Sequence, residues 1–199
     1  MQRCVPEGMR HINDIAISGN GEPASAAEFL QVIELLGRLK HELQLPAHIK
    51  LVLITNGSLL HRETVQQGLR HMALFDGEVW FKLDRASATE IQHINNTNIS
   101  LGKVRENIIT SIRLCPTWLQ TCWFALDGAP PSNKDENDYL DFLAGLLRDN
   151  IKPQGVLLYT LARPSMQPEA PRLAALPASQ MEAFAERIRA LKIETRVAI

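Results

Sequence analysis

Five short polar clusters each follow an apolar run, and their residue types are those that grip a small molecule. They are Ser18-Gly19-Asn20-Gly21-Glu22-Pro23, Thr55-Asn56-Gly57-Ser58, Asp84-Arg85, Asp127-Gly128 and Arg163-Pro164. In the first, Gly19 and Gly21 flank Asn20 and let the backbone approach a ligand with no Cβ in the way, while the carboxylate of Glu22 suits an ammonium group or hydroxyls. Such a loop fits an amino acid or a nucleoside. It reads equally as a tight strand-to-helix turn in which Glu22 favours the dipole of the next helix. It is not a Walker loop, because no GKS or GKT follows, and not a GxGxxG fingerprint, because only the pair Gly19 and Gly21 is present. In Thr55-Asn56-Gly57, either Asn56 or Gly57 can take a left-handed turn conformation. Lys82 and Asp84 alternate onto one side of a strand, with Phe81 and Leu83 on the other, so they pair with each other or face a ligand together.

The remaining composition narrows the chemistry. Cys4, Cys115 and Cys122 contain no CxxC pair and indicate neither a disulfide framework nor a structural zinc site. No two of the six histidines have the spacing of a ligand pair, and no metal site is legible. With 21 basic against 22 acidic side chains and no basic block, there is no field to hold a nucleic acid. The amino terminus lacks the apolar run of a secretory signal, and no stretch approaches the ~20 apolar residues that span a bilayer, so the chain reads as cytoplasmic with no membrane partner.

Holding these clusters in place takes a regular frame. A chain of 199 residues, 45% apolar, suits a single domain over 1–199. A strand is expected at Ile12–Ser18, then a helix opened by a Ser25/Glu28 capping box with Phe29, Val32, Ile33, Leu36, Leu39 and Leu43 inward. Lys50–Ile54 reads as the next strand, followed by a helix faced by Val65, Leu69 and Met72. Glu78–Leu83 is a third strand, after which a polar loop runs to Asn98 and a helix starts near Ser100. Leu119–Leu126 and Gly155–Leu161 are predicted strands around a helix with Tyr139, Phe142, Leu143, Leu146 and Leu147 inward. A second capping box, Ser179/Glu182, opens a helix faced by Met181, Phe184, Ile188 and Leu191, and Glu194–Ile199 closes the chain as a strand. Strand, loop and helix in alternation imply an α/β fold with parallel strands and right-handed crossovers. Ligands then bind at the carboxyl ends of the strands, where the five clusters fall. Periodicity does not choose between a doubly wound sheet and a barrel.

Taken in order, the clusters resemble the radical S-adenosylmethionine superfamily. The resemblance rests on SGNGEP at Ser18–Pro23, on Leu53-Ile54-Thr55-Asn56-Gly57-Ser58, on Phe81-Lys82-Leu83-Asp84 with Ile94-Asn95 following, on Ala125-Leu126-Asp127-Gly128 with Pro130-Pro131-Ser132, and on Leu158-Tyr159-Thr160-Leu161-Ala162-Arg163-Pro164; it covers nearly the whole chain from Ile12. It looks like the branch described as iron–sulfur oxidoreductases or radical SAM domain proteins. What it implies is a parallel partial TIM-type barrel, (βα)6-like, that binds S-adenosylmethionine and in complete form cleaves it reductively at a [4Fe–4S] cluster. By position, Gly19, Asn20, Gly21 and Glu22 would hold the methionyl amino group. Asn56, Lys82 and Asp84 would lie near the ribose or carboxylate, and Arg163 near the adenine or the substrate.

One departure stands out. The CxxxCxxC loop that binds the cluster in the family has no counterpart, since Cys4 stands alone and too little chain separates it from Ile12 for a first strand, a cluster loop and a helix. The expectation is a chain that lacks the first βα unit and the cluster ligands: an amino-terminally truncated enzyme, inactive alone, or a non-catalytic nucleoside-binding or interaction module of the same fold. A missing first strand leaves the Ile12–Ser18 strand as an open barrel edge that invites self-association. A third reading is a metal-independent barrel enzyme using Glu22, Lys82 and Asp84 for acid–base work. No pattern in the loops specifies the small-molecule substrate.

Overall fold

Eight strands and six α-helices alternate along the computed structural model, which describes residues 4, 6–9, 11–19, 21–163, 166 and 168–199. The strands are β1 (Asp14–Ile17), β2 (Lys50–Thr55), β3 (Glu78–Lys82), β4 (Thr117–Cys122), β5 (Phe124–Leu126), β6 (Gly155–Tyr159), β7 (Leu173–Ala175) and β8 (Thr195–Ala198). The helices are α1 (Phe29–Glu42), α2 (Glu63–Leu74), α3 (Ala88–Asn95), α4 (Leu101–Leu114), α5 (Asn133–Arg148) and α6 (Ala178–Ala190). Six strands form one parallel sheet in the order β1-β2-β3-β4-β6-β8, while β5 and β7 make a separate antiparallel pair.

Each crossover steps in the same direction, with no reversal of strand order. The aligned positions Ile17, Leu53 and Val79, and likewise Phe81, Leu119 and Val156, belong to one apolar cluster that also contains Ile33, Leu69, Ile108, Leu143 and Ile188 from the helices. The face of the sheet that carries these positions is the one the helices cover. The opposite face carries Glu78, Trp80 and Lys82 on β3, Trp118, Gln120 and Cys122 on β4, and Leu157 and Tyr159 on β6, aligned by the same registers. The sheet is open, with β1 and β8 at its edges.

Several local expectations are corrected. Ser25 lies in a short 3-10 turn, Pro23–Ser25, and α1 starts at Phe29 behind Glu28 with no side-chain cap, so the Ser25/Glu28 box does not form. Ser179 lies inside α6, whose preceding residue is Pro177, and Glu182 pairs with Arg189 instead of closing a box. The capping box that does form is Ser132 with Asp135, at the start of α5. The loop expected through Asn98 contains α3, capped by the Ser87 hydroxyl on the Glu90 N–H. The single strand expected over Leu119–Leu126 is two, because Trp123 turns into the core and β5 leaves the sheet to pair with β7.

Helix α1 departs from its expected face. Phe29 and Ile33 are buried, and α2 approaches closely enough that a Cβ on Gly68 would stand 2.5 Å from the Phe29 ring. Val32, Leu35, Leu39 and Leu43 instead form an exposed stripe on the helix, at i, i+3 and i+4 spacing. No helix is long and apolar enough to cross a membrane among the described residues.

Candidate functional site

The carboxyl end of β1 runs into Ser18 and Gly19, and Glu22 then turns back toward β2. Its carboxylate is a clamp: Oε1 accepts the Thr55 hydroxyl at 2.7 Å and the Ala24 N–H at 3.2 Å, and Oε2 accepts the Asn56 N–H at 2.9 Å. Two loops far apart in sequence are thus fastened into one wall. Of the roughly four lone-pair positions of a carboxylate, three are committed to the protein, which leaves about one for a ligand. A Cβ on Gly19 or Gly21 would meet no described atom within 4 Å. Packing does not demand glycine there; what the two glycines provide is open access to the main chain. Asn20 lies outside the described residues.

At the end of β2 the ambiguity between Asn56 and Gly57 resolves in favour of Gly57, with φ of +71°. A Cβ there would also stand 2.1 Å from the Phe81 ring, so the turn and the packing both require glycine. Asn56 forms an Asx-type turn, its Oδ1 accepting the Ser58 N–H at 2.9 Å, and its side-chain NH2 has no partner among the described residues.

Of the two arrangements open to Lys82 and Asp84, the direct pair does not form. Asp84 stands past the end of β3, where Oδ1 accepts the Cys122 N–H at 2.8 Å and Oδ2 the Asn95 side-chain N–H at 3.0 Å. It therefore ties β3 to β4 and α3. Desolvation raises its pKa above the ordinary aspartate value, against the pull of the Cys122 and Asn95 hydrogen bonds and of the nearby cations. Lys82 is exposed and has no hydrogen-bond or ion-pair partner among the described residues.

Asn56, Ser58, Lys82, Asp84, Asn95 and Thr97 line part of a cavity of about 340 Å³, to which Gly19, Gly21 and Glu22 do not contribute. Arg85 closes its inner side. It is 4% exposed, its Nη1 donates to the carbonyls of Asp84 at 2.7 Å and Cys122 at 3.3 Å, and its guanidinium lies 5.2 Å from the Trp123 ring centroid. Burial lowers its pKa, opposed chiefly by Asp84 and Glu90, and Nε has no hydrogen-bond partner. Its neighbour Asp84 signals Arg85 in the sequence; nothing signals Thr97, which only the α3–α4 connection brings to the cavity.

Arg163 is exposed beyond the end of β6 and is not among the residues lining this cavity; Pro164 lies outside the described residues. Asp127 and Gly128 also have a different role. Both have positive φ, 53° and 78°, and they join Leu126 to Ala129 in a two-residue turn. Arg172 then grips the Asp127 carboxylate at 2.8 and 2.6 Å, fastening the β5–β7 ribbon, and holds that carboxyl below the usual range. A second cavity of about 560 Å³ lies between this ribbon and the end of α3, and Asn95 lines both cavities.

The residues present do not fit an iron–sulfur cluster. Among the described residues no three His, Cys, Asp or Glu side chains gather where they could hold a metal ion. Cys115 and Cys122 bracket β4 from opposite ends, and burial pushes each thiol up to about 12, away from the thiolate a metal needs.

The fold has a counterpart among solved structures. A radical SAM methyltransferase from Sphaerobacter thermophilus superposes with a TM-score of 0.60 at 18% identity, over 96% of this chain and 52% of that one. The likeness shows a shared fold, and the chain spans about half the length of that protein. No protein-family model and no curated protein sequence matches it.

Proposed function

We propose, from the premise of that shared fold, that this chain is an S-adenosylmethionine-binding partial barrel whose cradle is built from the Gly19–Glu22 loop and the ends of β2 and β3. The observation that supports the reading is the Glu22 clamp, which joins the first loop to the end of β2, whose Asn56 lines a cavity together with Lys82 and Asp84. In this reading the open backbone at Gly19 and Gly21 and the remaining lone pair of Glu22 receive the methionyl ammonium. Asn56 and Lys82 offer donors to hydroxyls or the carboxylate, while Asp84 acts indirectly by fixing Asn95 and the end of β4. Bound there, the cofactor would supply an activated sulfonium. No cluster chemistry is assigned to these 199 residues, whose described thiols do not gather. In the family reading, the ligands for iron come from polypeptide outside them, and the chain alone binds without turnover.

Calorimetry with S-adenosylmethionine tests this. Wild type should bind, and Glu22→Ala should lose most of the affinity; a wild type that does not bind, or a variant that binds equally well, overturns the cradle. Anaerobic reconstitution with iron and sulfide should give neither cluster absorbance nor 5′-deoxyadenosine, and the appearance of either refutes the assignment of the iron ligands elsewhere.

A second reading, as an interaction module, draws on the open β1 edge together with the exposed Val32, Leu35, Leu39 and Leu43 stripe on α1. A two-fold axis normal to the sheet at β1 would pair β1 with β1 and α1 with α1 of a second copy. Sedimentation of wild type and Leu39→Glu decides it: a wild-type dimer that the variant dissolves supports the reading, and a wild-type monomer at all concentrations removes it.

A further inference from the structure

Side chains alternate along β5, and Ala125 is buried in the core, so Phe124 and Leu126 point the opposite way. The antiparallel register sets Ala175 beside Phe124 and Leu173 beside Leu126 on the same face of the ribbon. That face does not pack into the protein. Phe124, Leu126 and Leu173, and Ile94 at the end of α3, belong neither to the apolar core nor to the half-buried residues packed against it, yet all four line the cavity of about 560 Å³. This apolar floor is held in place without a ligand, because Arg172 grips Asp127 beyond the turn and the Arg85 guanidinium stands 5.3 Å from the Phe124 ring centroid. The rim is polar and mixed. Asp127 already matches the charge of Arg172, which leaves His93 and Glu169 as rim groups of opposite tendency, and the side-chain amides of Asn95 and Asn96 both donate and accept. Such a rim selects no single charge, while the floor selects an apolar body.

We infer that this cavity is a second ligand site, taking an uncharged molecule whose apolar ring lies on Phe124, Leu126 and Leu173 and whose hydrogen-bonding edge reaches Asn95 and Asn96. Its volume falls within the roughly 300–1,000 Å³ of small-molecule sites, which likewise combine an apolar lining with a few polar groups that fix orientation. A stable protein partner needs about 800 Å² of surface on each side, far more than a floor of four side chains enclosed by a polar rim provides. Asn95 also lines the first cavity, so ligands in the two cavities meet at that residue. With a cofactor in the first cavity, the ribbon cavity holds its substrate. That role rests on the cradle reading; the site itself does not.

The experiment uses the full 199-residue chain with indole as the probe, read by calorimetry and by the backbone amide resonances of the protein. Indole at low-millimolar concentration should shift the amides of Ile94, Phe124, Leu126 and Leu173, with an affinity that salt does not change and a negative heat-capacity change. Leu126→Gln and Ile94→Gln should each weaken binding about fivefold or more, the scale of one apolar side-chain contact. Ile94 is on α3, so a loss in that variant is not a loss of the ribbon. Leu74→Gln, an exposed leucine outside the cavity, should leave binding unchanged. Indole-3-acetate and tryptamine carry the same ring with a negative and a positive charge, and neither should bind more tightly than indole; a gain of about tenfold or more for either overturns the uncharged class. Absence of indole binding, shifts that fall on Val32, Leu35, Leu39 and Leu43 instead, or equal weakening by Leu74→Gln overturns the site. Indole binding without S-adenosylmethionine binding keeps the ribbon site and removes the cradle. Binding of S-adenosylmethionine with no indole shifts at the ribbon keeps the cradle and removes the site.

Discussion

Replacing Glu22 by glutamine removes one oxygen and the charge while keeping the shape, which isolates the clamp between the first loop and β2. The carboxylate receives three donors: the Thr55 hydroxyl, the Ala24 N–H and the Asn56 N–H. A glutamine side chain can keep the two bonds on Oε1 only by turning its NH2 toward the Asn56 N–H, which sets donor against donor. One charge-assisted bond, ordinarily ~1.5–3 kcal/mol, is lost, and the other two fall to neutral strength, a loss of about 1 kcal/mol each. Glu22 is half-buried and Asn56 exposed, so solvent replaces part of this, and a net cost of about 1.5–2 kcal/mol is expected. For a chain of this length that corresponds to a fall in Tm of about 3–8 °C. Urea unfolding of wild type, Glu22→Gln, Thr55→Val and the double variant should give a coupling of about 1 kcal/mol between the two sites, since Glu22→Gln lowers the 2.7 Å Thr55 bond from charge-assisted to neutral strength and Thr55→Val removes it. A Glu22→Gln protein as stable as wild type, or strictly additive single effects, refutes the clamp.

Other expectations follow from neighbouring residues. Gly57→Ala should destabilise by about 2–4 kcal/mol, combining a left-handed backbone with a Cβ driven into the Phe81 ring, whereas Gly21→Ala should stay within ~0.5 kcal/mol in the same denaturation assay. Because burial raises the folded pKa of Asp84 above its ordinary 3.8, the protonated form contributes stability that is fully present below that value and lost as pH rises through the folded pKa. Urea midpoints at about pH 4 and about pH 7 should therefore show the margin of wild type over Asp84→Asn narrowing as pH rises, and a margin that widens would reverse the assignment. With Cys115 and Cys122 both pushed up to about 12, iodoacetamide near pH ~8 should label Cys4 in the native protein and the other two only after denaturation, as read by peptide mass mapping.

Much of the frame was legible because it is written in local periodicity. The faces of α2, α5 and α6 follow from Val65, Leu69 and Met72, from Tyr139, Phe142 and Leu143, and from Met181, Phe184 and Ile188, all buried as their spacing requires. Where local signals had competitors, they misled. Ser25/Glu28 and Ser179/Glu182 have capping-box spacing, yet Glu22 had already bent the chain before α1, and Pro177 started α6 two residues before Ser179.

The sequence by itself determined that strands and helices alternate and that small, polar and charged residues collect at the strand ends, since period and composition are properties of neighbours along the chain. Only the tertiary structure decided what those residues do. Lys82 and Asp84 sit two positions apart and look like partners, but β4 and α3 arrive with the Cys122 and Asn95 donors that bond one Asp84 oxygen each, and Lys82 has no partner among the described residues. Glu22 looks like a ligand residue, but β2 arrives with Thr55 and Asn56 and turns most of its carboxylate into a fastening. A hydrogen-bonding group serves the ligand only with the capacity its neighbours in space have not taken, and those neighbours are 33 to 38 residues away for Thr55, Asn56 and Cys122.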